Sequence, residues 1–118
     1  MKKAQKDLKT DELNELSMNI ILHAGNARKH VTDALTEVEK ENFTEAENLL
    51  QLANQEIVTA HSMQTSTLQK EAEGEQIRYS TLFSHAQDTL MTTKSELLLT
   101  THLVSILKKV LRKREDKE

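Results

Sequence analysis

This sequence has no cysteine, so its five histidines are the side chains that offer a nitrogen or sulfur nucleophile near neutral pH. They are His23, His30, His61, His85 and His102. His85 lies in Ser84-His85-Ala86-Gln87-Asp88-Thr89-Leu90-Met91. Asp88, Thr89 and Thr92 follow it at i+3, i+4 and i+7, which places all four on one polar stripe of a helix. The stripe is expected to run between two apolar ones, where polar groups must find partners or serve a purpose. A hydrolytic triad would need an activated nucleophile and an oxyanion hole, and the pattern supplies neither. A transition-metal site needs more than one His and a carboxylate unless symmetry copies them. The Glu-x-x-His pairs of di-metal four-helix bundles are absent. A phosphoryl carrier needs less: one neutral imidazole nitrogen, exposed, with a surface on which donor and acceptor dock. Residue types alone leave that reading open beside a structural polar stripe in a helical oligomer, and the structural reading leads. His30 sits among polar residues and reads as solvated, whereas His23 and His102 flank apolar positions and read as partly buried structural residues.

The elements that must position these residues are helices. Leu13, Leu16, Ile20, Ala24, Ala27, Val31, Ala34 or Leu35, and Val38 recur at steps of three and four behind a candidate N-cap at Thr10, with Asp11 and Glu12 in the first turn. Gly25 lies inside this pattern, either merely tolerated or admitting another helix. Lys40-Glu41-Asn42 is a break, and Asn42 with Glu45 resembles a capping box. The second helix carries Ala46, Leu49 or Leu50, Ala53, Ile57, Ala60, Gln64, Leu68 and Ala72, with His61 beside the stripe. Glu73-Gly74-Glu75 is the second break, with Gly74 at the C′ position, and Ser80 is the expected cap of the third helix. That helix has a main stripe of Phe83, Ala86, Leu90, Thr93, Leu97, Thr101, Val104 and Lys108. It has a second stripe of Leu82, Leu99, Leu103, Ile106 and Val110, more apolar surface than one packing partner requires. Lys108, Lys109 and Arg112–Arg114 at its end favour a solvated helix terminus, since acidic residues follow at once.

The expected architecture is all-α: an antiparallel up-down-up three-helix bundle, with helices of about 30, 30 and 33 residues spanning roughly 45–50 Å. So slender a bundle buries little per residue, and the doubly apolar third helix predicts threefold or fourfold association of the chain. Residues 1–9 are expected as a flexible segment, 10–113 as the single domain and 114–118 as a charged tail. Composition excludes much else. The chain has 118 residues, 30% charged and 36% apolar, a net charge of −3, 3% aromatics, two glycines and no proline. An all-β sandwich lacks its turn residues, and a Gly-rich phosphate loop lacks its glycines. No basic stripe with stacking aromatics points to nucleic acid. No apolar run approaches a membrane span and no signal-like segment opens the chain, so a soluble cytoplasmic protein is expected.

Several segments together resemble the lactose/cellobiose-type enzyme IIA proteins of the bacterial sugar phosphotransferase system. His85-Ala86-Gln87-Asp88-x-Leu90-Met91-Thr92 is similar to the family's active-site segment. Ala24-Gly25-Asn26-Ala27-Arg28 resembles its A-G-D-A-R, and Asn42-Phe43-x-x-Ala46 its G-D-F-x-x-A. Ala60-His61-Ser62-Met63-Gln64-Thr65 resembles A-H-x-x-Q-T, and Glu71-Ala72-x-Gly74-Glu75 and Tyr79-Ser80 also fit. The resemblance implies a homotrimer of three-helix protomers, nine helices in all. It implies that His85 accepts phosphate from the histidine phosphocarrier HPr and passes it to a cysteine of the cognate IIB component, for uptake of a lactose- or cellobiose-class sugar. It also implies that Asp88 from each chain meets at the threefold axis around a divalent metal, with Mg²⁺ and its waters suiting three carboxylates. Two positions depart from the family: Thr89 stands where a second His usually follows the Asp, and Asn26 stands where the family has Asp. The first removes an alternative acceptor beside His85. Gln87 reads either as a hydrogen-bond donor to a phosphoryl oxygen or as an exposed polar residue. His61 and Gln64 read as cross-bundle structural groups or as support for the site. The competing function is a non-catalytic helical oligomer, an adaptor or regulatory scaffold.

Overall fold

The computed structural model describes residues 2–117, with side chains described from Thr10 onward. Three helices follow in order: α1 over Lys2–Glu39, α2 over Phe43–Ala72 and α3 over Thr81–Lys117. They form the up-down-up bundle, with no strand among the described residues. Its longest extent is 75 Å, well beyond the expected length, because α1 starts at Lys2 rather than behind a cap at Thr10 and α3 continues to Lys117. No proline or glycine interrupts Lys2–Lys9 or Lys113–Lys117, so nothing in the local sequence stops either helix. The segment expected to be flexible, 1–9, therefore falls within the bounds of α1 apart from Met1, and its side chains lie outside the described residues. The expected charged tail is the last turn of α3, with Glu118 outside the described residues.

Both connections are helix-terminating motifs. After α2, Gly74 takes φ +99°. Its N–H donates to the Glu71 carbonyl and the Glu75 N–H to the Lys70 carbonyl, both at 3.0 Å, which is the Schellman pattern. The same pattern closes α1, where Glu41 N–H reaches Val38 O and Asn42 N–H reaches Glu37 O, each at 2.9 Å. There the left-handed position is filled by Glu41 at φ 62°, a residue with a Cβ to crowd. The Asn42 side chain forms no capping box. It donates to the Glu37 carboxylate at 3.0 Å, across the turn it was expected to cap.

The core is narrow. Among the described residues seven of the fifteen buried apolar side chains are alanine, which lets the helix axes approach closely and leaves few large side chains inside. Ile20, Val31, Leu50, Ile57, Phe83, Leu90, Leu97 and Val104 supply the remainder. The stripes match the periodicity with small shifts: Thr67 rather than Leu68 faces inward on α2, and Thr100 rather than Thr101 on α3. Ser17 is fully buried and donates to the Leu13 carbonyl at 2.7 Å. Among the described residues one polar pair spans each helix pair: His23 Nδ1 to Glu56 at 2.5 Å, Arg28 to Glu96 at 2.6 Å, and Lys108 to Glu47 at 2.7 Å. These fix register more than they add stability, since partly exposed pairs contribute about 0–1 kcal/mol each.

Gly25 is exposed, and a Cβ added there would meet nothing within 4 Å, so no helix of this chain approaches it. Gly74 has the same open space but the left-handed backbone. The same substitution should therefore act in opposite directions at the two sites. In thermal or urea unfolding, Gly25→Ala is expected to stabilise by about 1 kcal/mol. Gly74→Ala is expected to destabilise by about 1–2 kcal/mol.

Candidate functional site

The site is built on the first turns of α3. Ser80 caps this helix as expected: its Oγ accepts the Phe83 N–H at 3.0 Å, and its carbonyl accepts the Ser84 N–H at 3.0 Å. Phe83, Ala86 and Leu90 are buried on the inner face and anchor the segment. His85 and Asp88 then point outward, and both are exposed. Among the described residues neither the His85 ring nor the Asp88 carboxylate has a hydrogen bond or ion pair. Thr89 is half-buried, and its hydroxyl donates to the His85 carbonyl at 2.9 Å. Thr93 repeats that bond one turn on, to the Thr89 carbonyl at 2.7 Å. The hydroxyl standing where the family has a second His is thus occupied by the backbone and does not orient the ring.

The polar stripe does not run between two apolar stripes. Eighteen residues make five turns, so His85, Asp88 and Thr92 stand directly below Leu103, Ile106 and Val110. One outer face of α3 is therefore polar at its N-terminal end and apolar at its C-terminal end. Met91, Leu98, Leu99, Leu103, Ile106 and Val110 are each 45–70% exposed along or beside it.

The other expected site residues do not join His85. Gln87 is 200° around the helix from it and lines a different feature, a cleft of about 270 Å³ between the end of α2 and the start of α3. Thr67, Leu68, Arg78, Tyr79 and Phe83 also line that cleft. Gln64 is buried in the core stripe of α2. His61 is half-buried, with Nδ1 3.4 Å from the Thr65 hydroxyl on its own helix, and no hydrogen bond carries either residue across to α3. Among the remaining histidines, His23 is the half-buried structural residue that its apolar setting predicts. His30 is half-buried rather than solvated, because its position on α1 lies close to the packed stripe. His102 is exposed rather than partly buried, because the apolar residues flanking it belong to the outer face of α3 and not to the core.

What remains at His85 is a single accessible imidazole with a free ring, and no second catalytic group. That arrangement suits a group-transfer carrier, whose reaction partners bring the rest of the machinery. Residues 15–108 match the family described as PTS system, Lactose/Cellobiose specific IIA subunit. The chain belongs to this family. It is 41% identical over 99 residues to the lactose-specific EIIA component of Staphylococcus epidermidis, covering 84% of this chain and 95% of that protein. The crystal structure of PtcA from S. mutans superposes with a TM-score of 0.82 at 38% identity, covering 84% of this chain and 97% of that one. The IIA(Chitobiose) chain in its complex with HPr, from the Escherichia coli phosphotransferase system, gives a TM-score of 0.69 at 28% identity, over 83% of this chain and 95% of its own. This IIA protein is therefore a phosphotransferase component of a sugar uptake system. No helix among its described residues is long and apolar enough to cross a membrane.

Among the described residues no three His, Asp or Glu side chains come together as a ligand group. Asp88 offers one exposed carboxylate without a competing partner, so it fits a hard cation only where other copies add theirs.

The cap on Ser80 holds the turn that presents His85. Ser80→Ala is expected to cost about 1 kcal/mol in urea unfolding. Amide exchange should quicken at Leu82–Ser84 and leave α1 protected.

Proposed function

We propose that this chain takes a phosphoryl group from phospho-HPr onto His85 and delivers it to a cysteine of its cognate IIB component in the cytoplasm, for uptake and phosphorylation of a lactose- or cellobiose-class sugar. The observation that carries this reading is the exposed, unpartnered His85 ring on a capped helix. In the first transfer a lone pair on the neutral ring attacks phosphorus; an N–P bond forms on His85 as the donor's P–N bond breaks and the donor imidazole leaves. In the second, a thiolate attacks the same phosphorus; an S–P bond forms, the His85 N–P bond breaks and the ring returns to its neutral state. The protein's part is to hold the ring accessible and the surroundings open to two partners in turn. The HPr complex of the chitobiose relative supports HPr as the donor.

Assembly follows from α3. Its outer apolar residues have no partner within the bundle, and a homotrimer that packs three copies of this face together would cover them. Asp88 lies on the same face, so the trimer would bring three carboxylates to its axis. Three such charges repel unless they bind protons or a hard divalent ion, and Mg²⁺ with its waters fits the donor set. That ion would neutralise the axis and hold the three helices; it takes no part in phosphoryl transfer.

Incubation with phospho-HPr is expected to add one phosphoryl group per chain, read by intact mass. His85→Gln should abolish the gain while the circular dichroism spectrum is unchanged. Label retained on the His85→Gln protein, or none on the wild type, refutes the carrier and returns the chain to the scaffold reading. Ile106→Asp places a charge in the proposed seam and should reduce the mass in solution from three chains to one.

A further inference from the structure

The outer face of α3 has a centre line of its own. Asp88, Ser95, His102 and Lys109 are spaced seven residues apart, and all four are exposed. Each heptad falls about 20° short of two full turns, so the row drifts by about 60° from Asp88 to Lys109 on a straight helix, and a left-handed supercoil would hold it on one line. Exposed apolar residues flank the row on both sides: Met91 and Leu98 on one, Leu99, Leu103, Ile106 and Val110 on the other. In parallel helices that associate in register each residue of such a row meets its own copies, and a polar residue at one of these positions specifies register at a cost in stability. Cyclic symmetry about an axis along α3 produces that meeting.

Within this row His102 differs from its neighbours. Its imidazole has no hydrogen bond or ion pair among the described residues, and Leu98, Leu99, Leu103 and Ile106 surround it in sequence on the exposed face. Such residues exclude water once they are packed, and an imidazole enclosed without a partner is unfavourable. Among the described residues one chain supplies no group of three ligands, but three copies of one residue on an axis would.

We propose that three His102 side chains, brought together on the threefold axis, bind a transition-metal ion of the Zn²⁺ class. This rests on the threefold assembly proposed above. Three ring nitrogens at about 2.0–2.1 Å and one water complete a tetrahedral set. The site is chemically distinct from that at Asp88, two heptads and about 21 Å away along the helix: imidazole selects Zn²⁺, Co²⁺ or Ni²⁺, whereas carboxylates select Mg²⁺. Its effect is to clamp the apolar half of the seam, remote from His85.

The test titrates metal-free protein with Co²⁺, a coloured stand-in for Zn²⁺, while light scattering reports the mass. The wild type is expected to be a trimer whose visible d–d bands saturate at one ion per three chains. His102→Gln should lose the bands, and Asp88→Asn should keep them. The chain has no native cysteine, so His102→Cys adds a unique thiolate and should give a sulfur-to-cobalt charge-transfer band in the near ultraviolet. A wild-type trimer without stoichiometric cobalt, bands that survive in His102→Gln, or no charge-transfer band in a folded His102→Cys overturns the site and leaves the assembly standing. A wild-type monomer or dimer overturns the assembly and the site together.

Discussion

The thinness of the core governs the rest of the molecule. Helices lined with Ala24, Ala27, Ala34, Ala46, Ala53, Ala60 and Ala86 pack closely, and close packing of three helices encloses only one narrow column of side chains. A bundle of this shape has room for one stripe per helix. α3 carries two apolar stripes, so its second face is left outside with Leu99, Leu103, Ile106 and Val110 in solvent. Everything distinctive about the protein lies on that outer face: the accessible His85 and Asp88 at one end, the uncovered apolar surface at the other. Had the core been wider, the second stripe could have turned inward, and the imidazole would have lost its exposure with it.

Much of this was legible in the sequence because helix signals are local. The Ser80 cap and the Gly74 terminator depend on the residue itself and on neighbours within five positions, and both formed as their chemistry requires. The buried stripes followed from spacing alone. The family resemblance rested on motifs spread over the chain, and the family match over residues 15–108 agrees with it.

The misses have physical causes too. Asn42 was legible as a cap, but the preceding helix ends in its own Schellman turn, and that places the Glu37 carboxylate within 3.0 Å of the Asn42 amide. The outcome depended on how two helix ends meet, which neither end encodes alone. Gln87 lies two residues from His85 in sequence, yet two residues along a helix are 200° around it, so adjacency in a motif is not adjacency in space. His102 was assigned to a buried setting because its neighbours are apolar. Periodicity identifies an apolar face without saying what covers it, and here Leu98, Leu99 and Leu103 beside His102 stay 48–70% exposed.

The division of α3 into a polar and an apolar half also explains how so little chemistry can be sufficient. A carrier must release what it accepts, so it gains from holding the phosphoryl group without a second catalytic group to trap it. His85 has no side-chain partner, and Thr89 spends its hydroxyl on the His85 carbonyl rather than on the ring. The ring is therefore fixed only through its backbone, by the Ser80 cap on one side and the buried Phe83, Ala86 and Leu90 beneath. In the proposed transfer, a rigid backbone beneath a chemically unassisted ring leaves rate and direction to the docked partner. The uncovered Leu103, Ile106 and Val110 begin five turns along the helix from His85, so a surface that covers them leaves the imidazole accessible.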